Sequence, residues 1–90
     1  MSNSGAALDQ FRVEIGDTER PVEDIIIDIK SYGEPVVFVK LAAKASGATA
    51  AGSTIIIEVT PNSVDEQGLK EKLNEAGGCM YQIAAVTKLS

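Results

Sequence analysis

"PVEDIIIDIKSYGEP", residues 21–35, decides the fold of this chain. Read with a period of two, Ile25, Ile27 and Ile29 share a face and the stretch is a strand. Read with helical spacing, Val22, Ile25, Ile26, Ile29 and Tyr32 form one stripe, and Glu23, Asp24, Asp28 and Lys30 fall largely outside it. The flanks arbitrate. Pro21 suits the first turn of a helix, where its missing N–H costs nothing. Glu23 and Asp24 sit at the positive end of the helix dipole. Gly33 is placed to be the left-handed residue that ends a helix, and Pro35 prevents its return. Four isoleucines oppose this by a few tenths of a kcal/mol each. The start and stop signals outweigh that modest total and predict a helix over 21–32.

A near-copy, "TIIIEVT", occupies residues 54–60. No helix-start signal precedes it, a Gly/Ser-containing stretch leads into it, and Pro61 cuts it off. The same letters therefore predict a strand here, with Ile55, Ile57 and Val59 on one side.

Working outward, "FRVEIG" (11–16) alternates: Phe11, Val13 and Ile15 face one way, Arg12 and Glu14 the other. "VVFVKLAAK" (36–44) is a second strand, with Val37, Val39, Leu41 and Ala43 on one face and Val36, Phe38, Lys40, Ala42 and Lys44 on the other. "SGATAAGS" (46–53) is small and uncharged, and is expected to be a mobile hairpin loop, with Ser46, Gly47, Gly52 and Ser53 as its characteristic residues. It is longer than the roughly two to five residues of an ordinary hairpin turn. "SVDE" (63–66) is a capping-box pattern opening a second helix, with Val64, Leu69, Leu73 and Ala76 as its apolar stripe and Gly77 and Gly78 as its stop. Gly68 inside that helix costs up to about 1 kcal/mol relative to Ala, which close packing on a sheet or a bend would explain. "CMYQIAAVTK" (79–88) gives the last strand, with Tyr81, Ile83 and Ala85 on one face.

The order strand, helix, strand, strand, helix, strand predicts a single α+β domain over 9–90 behind a flexible tail at 1–8. Its expected architecture is a two-layer sandwich: a four-stranded antiparallel sheet with two helices on one face, the split βαβ or ferredoxin-like arrangement. The rival reading makes 25–30 a strand, with five strands and one helix. Ninety residues leave room for one domain, and a chain this short buries only about 60–65% of its unfolded surface. With no Trp and only Phe11, Tyr32, Phe38 and Tyr81 as aromatics, that thin core must be aliphatic.

No stretch carries a motif that commits the chain to a reaction. Without histidine it lacks the commonest general base and metal ligand. Cys79 has no partner for an internal disulfide, and the expected helix end beside it is a C-terminus, the wrong sign to activate a thiol; it reads as an inert small hydrophobe. The loop at 46–53 is followed by a strand, not by the helix and lysine of a phosphate loop. Glu23/Asp24 and Asp65/Glu66 lie in expected first turns, where carboxylates need no metal. The net charge of −5 argues against general nucleic-acid or anionic-membrane binding, although residues 35–57 hold Lys40 and Lys44 and no acid. The N-terminus lacks the basic start and apolar run of a signal peptide, so a cytoplasmic protein is expected, without cofactor or metal.

Helices on one face leave the other face of the sheet to meet water or a partner. The residues expected there or at its margins are Val36, Phe38, Lys40, Ala42, Lys44, Ile56, Met80 and Val86, and an apolar patch of several hundred Å2 usually marks a contact surface. The expected function is therefore non-enzymatic self-association or protein–protein contact, through that face or a strand edge. The second expectation is a binding module for a small ligand or single-stranded nucleic acid, centred on the Lys40/Lys44 strand and the 46–53 loop.

Overall fold

Residues 7–89 are described by the computed structural model. Most of the tail expected at 1–8 lies outside the described residues; Ala7 and Leu8 are without regular structure. Six elements follow: β1 (Asp9–Thr18), α1 (Val22–Lys30), β2 (Val36–Ala43), β3 (Thr54–Val59), α2 (Glu66–Gly77) and β4 (Tyr81–Lys88). Residues 25–30 are helical, so the five-strand alternative falls. Pro21 stands just ahead of the helix in extended conformation, Glu23 and Asp24 fill the first turn, and Gly33 takes a φ of 79° beyond the last one. The β-branched residues pay for their poor propensity through packing: Val22, Ile25 and Ile29 are buried, and Ile26 and Tyr32 pack against them.

The sheet is antiparallel throughout, in the order β2-β3-β1-β4. Each helix connection therefore passes over one strand before the chain rejoins the sheet. Strand β1 is central, and its alternation sets the faces. Phe11 lies opposite Ile57 and Val13 opposite Ile55, all completely buried. Both helices put their apolar stripes into this one core, which also takes Val36, Val39, Leu69, Leu73, Tyr81 and Ile83.

Of the four register shifts in the sheet, three change where expected residues lie. In β2 the register slips at Val37: Val36 pairs with Val59 and Phe38 with Glu58. Val36 thus belongs to the core, buried with Val39, and not with Phe38 as strict alternation requires. A second slip at Ala42 separates Leu41, opposite Ile55, from Ala43, opposite Thr54. In β4 the slip at Ala84 lets Ile83 and Val86 both take the core side while Ala85 lies opposite Glu14. Bulges of this kind insert one residue and shift every later side chain by one face, which periodicity alone cannot register.

Two further expectations are corrected. The second helix begins at Glu66, and its N-cap is Asp65, whose Oδ1 accepts from the Gly68 N–H at 2.7 Å; Ser63 donates to the Thr60 carbonyl instead. Gly68 faces no strand: its nearest neighbours are Asp65 and Val64. A Cβ there would lie 3.0 Å from the capping oxygen. Ala76 is exposed, and Gly77 takes the third buried place after Leu69 and Leu73. A Cβ on Gly77 would meet the Tyr81 ring at 2.6–2.9 Å.

The 46–53 loop folds back onto β1. Ala50 and Ser53 are completely buried, the Ile15 N–H donates to the Ser53 carbonyl at 2.9 Å, and the Gly52 N–H to the Ile15 carbonyl at 2.9 Å. The Ser53 hydroxyl accepts from the Ala45 N–H. Ser46 and Gly47 stay on the exposed outer turn. The small residues thus serve close backbone packing as well as a turn.

Gly77→Ala, which drives a methyl into the Tyr81 ring, is expected to destabilise the fold by about 1–3 kcal/mol in chemical denaturation. Gly47→Ala, with open space around its Cα, stays within about 0.5 kcal/mol of the parent. Equal effects of the two would remove the role assigned to Gly77.

Candidate functional site

Register assigns the outward face of the sheet row by row, because directly opposed residues in an antiparallel pair share a face. One row runs Phe38–Glu58–Gln10, the next Lys40–Ile56–Arg12–Thr87, and the third Ala43–Thr54–Glu14–Ala85. The face is mixed and largely polar. Glu58 accepts from Gln10 Nε2 at 2.6 Å and lies 3.8 Å from Lys40 Nζ. Ile56, partly buried, is flanked by Lys40 and Arg12.

Of the eight residues expected to form one surface, only Phe38, Lys40 and Ile56 are brought together. Val36 is in the core, and Val86 packs against it. Ala42 is exposed at the second β2 bulge. Lys44 leaves Lys40 altogether: its Nζ lies 3.6 Å from Glu23 at the start of α1. Met80 is partly exposed in the turn before β4, beside α1. Cys79 is exposed and free.

The two sheet edges are treated differently. On β4 the Ile83 N–H donates to Asn74 Oδ1 at 2.8 Å and the Lys88 N–H to Glu66 Oε2 at 2.6 Å. Residues 66 and 74 lie two turns apart on α2, so one line of that helix satisfies two of the strand's outward N–H groups. Edge N–H groups covered in this way are not open to another chain. On β2 no such cover exists among the described residues, and the exposed side chains are large and apolar: Val37, Phe38 and Leu41 are 44%, 58% and 43% exposed.

At the far end of α1, a partly buried polar cluster forms where the helix meets β4. The Tyr32 hydroxyl donates to Asp28 Oδ2 at 2.7 Å, the Tyr81 hydroxyl donates to the same oxygen at 3.0 Å, and the two hydroxyls touch each other. Burial pushes the Tyr32 phenol up to about 12, with Asp28 adding to the effect. Burial also raises Tyr81, helped by its bond to Tyr32. Both rings therefore stay neutral donors at physiological pH. Asp28 and Tyr32 are four apart on a helix, a contact sequence spacing allows; Tyr81 arrives from 49 residues beyond Tyr32, and nothing local announces it. Beside the cluster opens a cleft of about 290 Å3, lined by Arg20, Asp24, Ile27, Asp28, Met80 and Tyr81. Arg20 lies 3.9 Å from Asp24. Among the described residues there is no group of three or more acids or thiols placed to hold a metal, and no helix long and apolar enough to cross a membrane.

No protein-family model, curated protein or solved structure matches this chain in comparison.

The tyrosine cluster has a pH signature. A phenol whose folded pKa lies above its unfolded value of 10.0 adds stability that is fully present below pH 10 and is lost as pH rises toward about 12. Tyrosinate absorbance of the folded protein is expected to stay low through pH 10, and denaturant midpoints to fall between pH 10 and 12. Normal titration of both tyrosines near 10 would show that the cluster is open to water.

Proposed function

We propose that the chain is a ferredoxin-like, non-enzymatic assembly module that pairs with a second copy of itself through the β2 edge. The strand order β2-β3-β1-β4, in which each helix connection passes over one strand, supports the architecture. The observation that carries the function is the exposure of Val37, Phe38 and Leu41 on an edge strand that no α2-type cover reaches among the described residues. Large apolar side chains flank this short edge strand on both sides, Phe38 on the outward face and Leu41, opposite Ile55, on the other. The strand also complements itself. When two β2 strands run antiparallel about a two-fold axis at Val39, Lys40 of one falls opposite Phe38 of the other, and Leu41 lies at the margin, beside the bulge at Val37. No two like charges meet, and an ammonium over an aromatic face is attractive. The two bulges confine regular pairing to Phe38–Leu41, so the contact is short and depends on side-chain packing. An isologous contact of this kind closes at two copies.

The reading as a ligand or nucleic-acid module centred on the Lys40/Lys44 strand and the 46–53 loop is less well supported. Lys40 and Lys44 each have a carboxylate of their own, on different sides of the strand. A single exposed thiol with no internal partner suits a reducing compartment, and the proposal places the protein in the cytoplasm.

Light scattering coupled to size exclusion tests this directly. The mass is expected to rise with concentration from 9.4 kDa toward twice that value. Phe38→Glu and Leu41→Lys should each hold the protein at the monomer mass while changing its unfolding free energy by no more than about 0.5 kcal/mol, since both sites are exposed. A parent protein that stays at 9.4 kDa at its highest soluble concentration overturns the proposal.

A further inference from the structure

The cleft between α1 and β4 has features that self-association leaves unused. Ile27 is 66% exposed in the middle of a charged helix surface, and Met80 is 37% exposed across from it. Between these apolar walls stands Asp28. Its Oδ2 is held by two tyrosine hydroxyls, whereas no hydrogen bond among the described residues reaches Oδ1. The carboxylate is thus oriented by its neighbours and keeps one oxygen for something else. The charge balance names the sign of that ligand. Arg20, which also lines the cleft, lies 3.9 Å from Asp24, and among the described residues no cation pairs with Asp28. An adjoining groove shares Arg20, Met80 and Tyr81 and adds Asp17 and Glu19, which extends the negative potential along one direction.

We infer that the cleft binds an aliphatic ammonium group, its methylenes lying between Ile27 and Met80 and its nitrogen donating to Asp28 Oδ1. An ammonium offers three donors and no acceptor, which suits a carboxylate oxygen with free lone pairs. A straight methylene chain covers apolar side chains while its charged end stays hydrated. Because the tyrosines already hold Asp28, little ordering is left for binding to cost. The same chemistry is presented by a lysine side chain and by a free diamine.

Nitrogen–proton NMR titration of the full chain separates these cases. Butylamine and cadaverine are expected to give saturable shifts at the Asp28, Ser31 and Met80 amides, and butanol none. Cadaverine binding tighter than N-acetyl-lysine methylamide identifies a free diamine as the source, its second charge meeting Asp17 and Glu19; equal or tighter binding of the lysine analogue identifies a lysine side chain. Asp28→Asn should weaken cadaverine by about tenfold or more, the size of a lost charge-assisted bond. Because that change also touches the tyrosine cluster, Arg20→Ala gives an independent check: it releases Asp24 and should tighten amine binding. Absence of saturable shifts with either amine, equal shifts with butanol, or weaker binding by Arg20→Ala would each overturn the inference.

Discussion

One thin aliphatic layer has to serve both helices, and everything else in the molecule accommodates that constraint. Phe11, Val13 and Ile15 lie on the central strand, Ile55, Ile57 and Val59 on its neighbour, and together they form the floor on which α1 and α2 rest. Without tryptophan and with few rings, the layer gains its area from branched aliphatics, whose stiff rotamers fill a pleated surface well. This is why the isoleucines of α1 are tolerated in a helix at all. Burial of Ile25 and Ile29 outweighs the few tenths of a kcal/mol that each costs in intrinsic propensity.

Much of the fold was legible because local signals agreed with one another. The clean alternation of β1, the Pro and Gly flanks of α1 and the Pro61 stop after β3 each pointed to the element that forms. Legibility failed where the backbone departs from a fixed period. Val36 reads as a neighbour of Phe38 until the slip at Val37 returns it to the core. Val86 and Lys44 are displaced in the same way by the slips at Ala84 and Ala42. The expected contact surface was assembled from strict alternation, so it was the part most exposed to such slips. The capping residue was misplaced by two positions for a simpler reason: Ser63 and Asp65 are both good caps, and only the backbone chooses.

The candidate sites differ in how far apart their parts lie in the chain. The β2 edge is a single stretch, so its apolar character can be read from five letters once its neighbours are known. The Asp28 cluster joins α1 to a strand at the other end of the chain, and Gly77 makes room for it by omitting a side chain under Tyr81. A helix-to-strand polar tie of this sort depends on three-dimensional closure and leaves no periodic trace.

The line of α2 side chains along β4 has a further consequence. Asn74 and Glu66 occupy two donor positions on that rim, so the pairing proposed for β2 would have one border to use among the described residues, a valency of one. A protein with two such borders could add copies head to tail without end, whereas one border terminates growth at a pair. On that proposal the second helix would act as a stopper against fibre formation as well as a roof over the core.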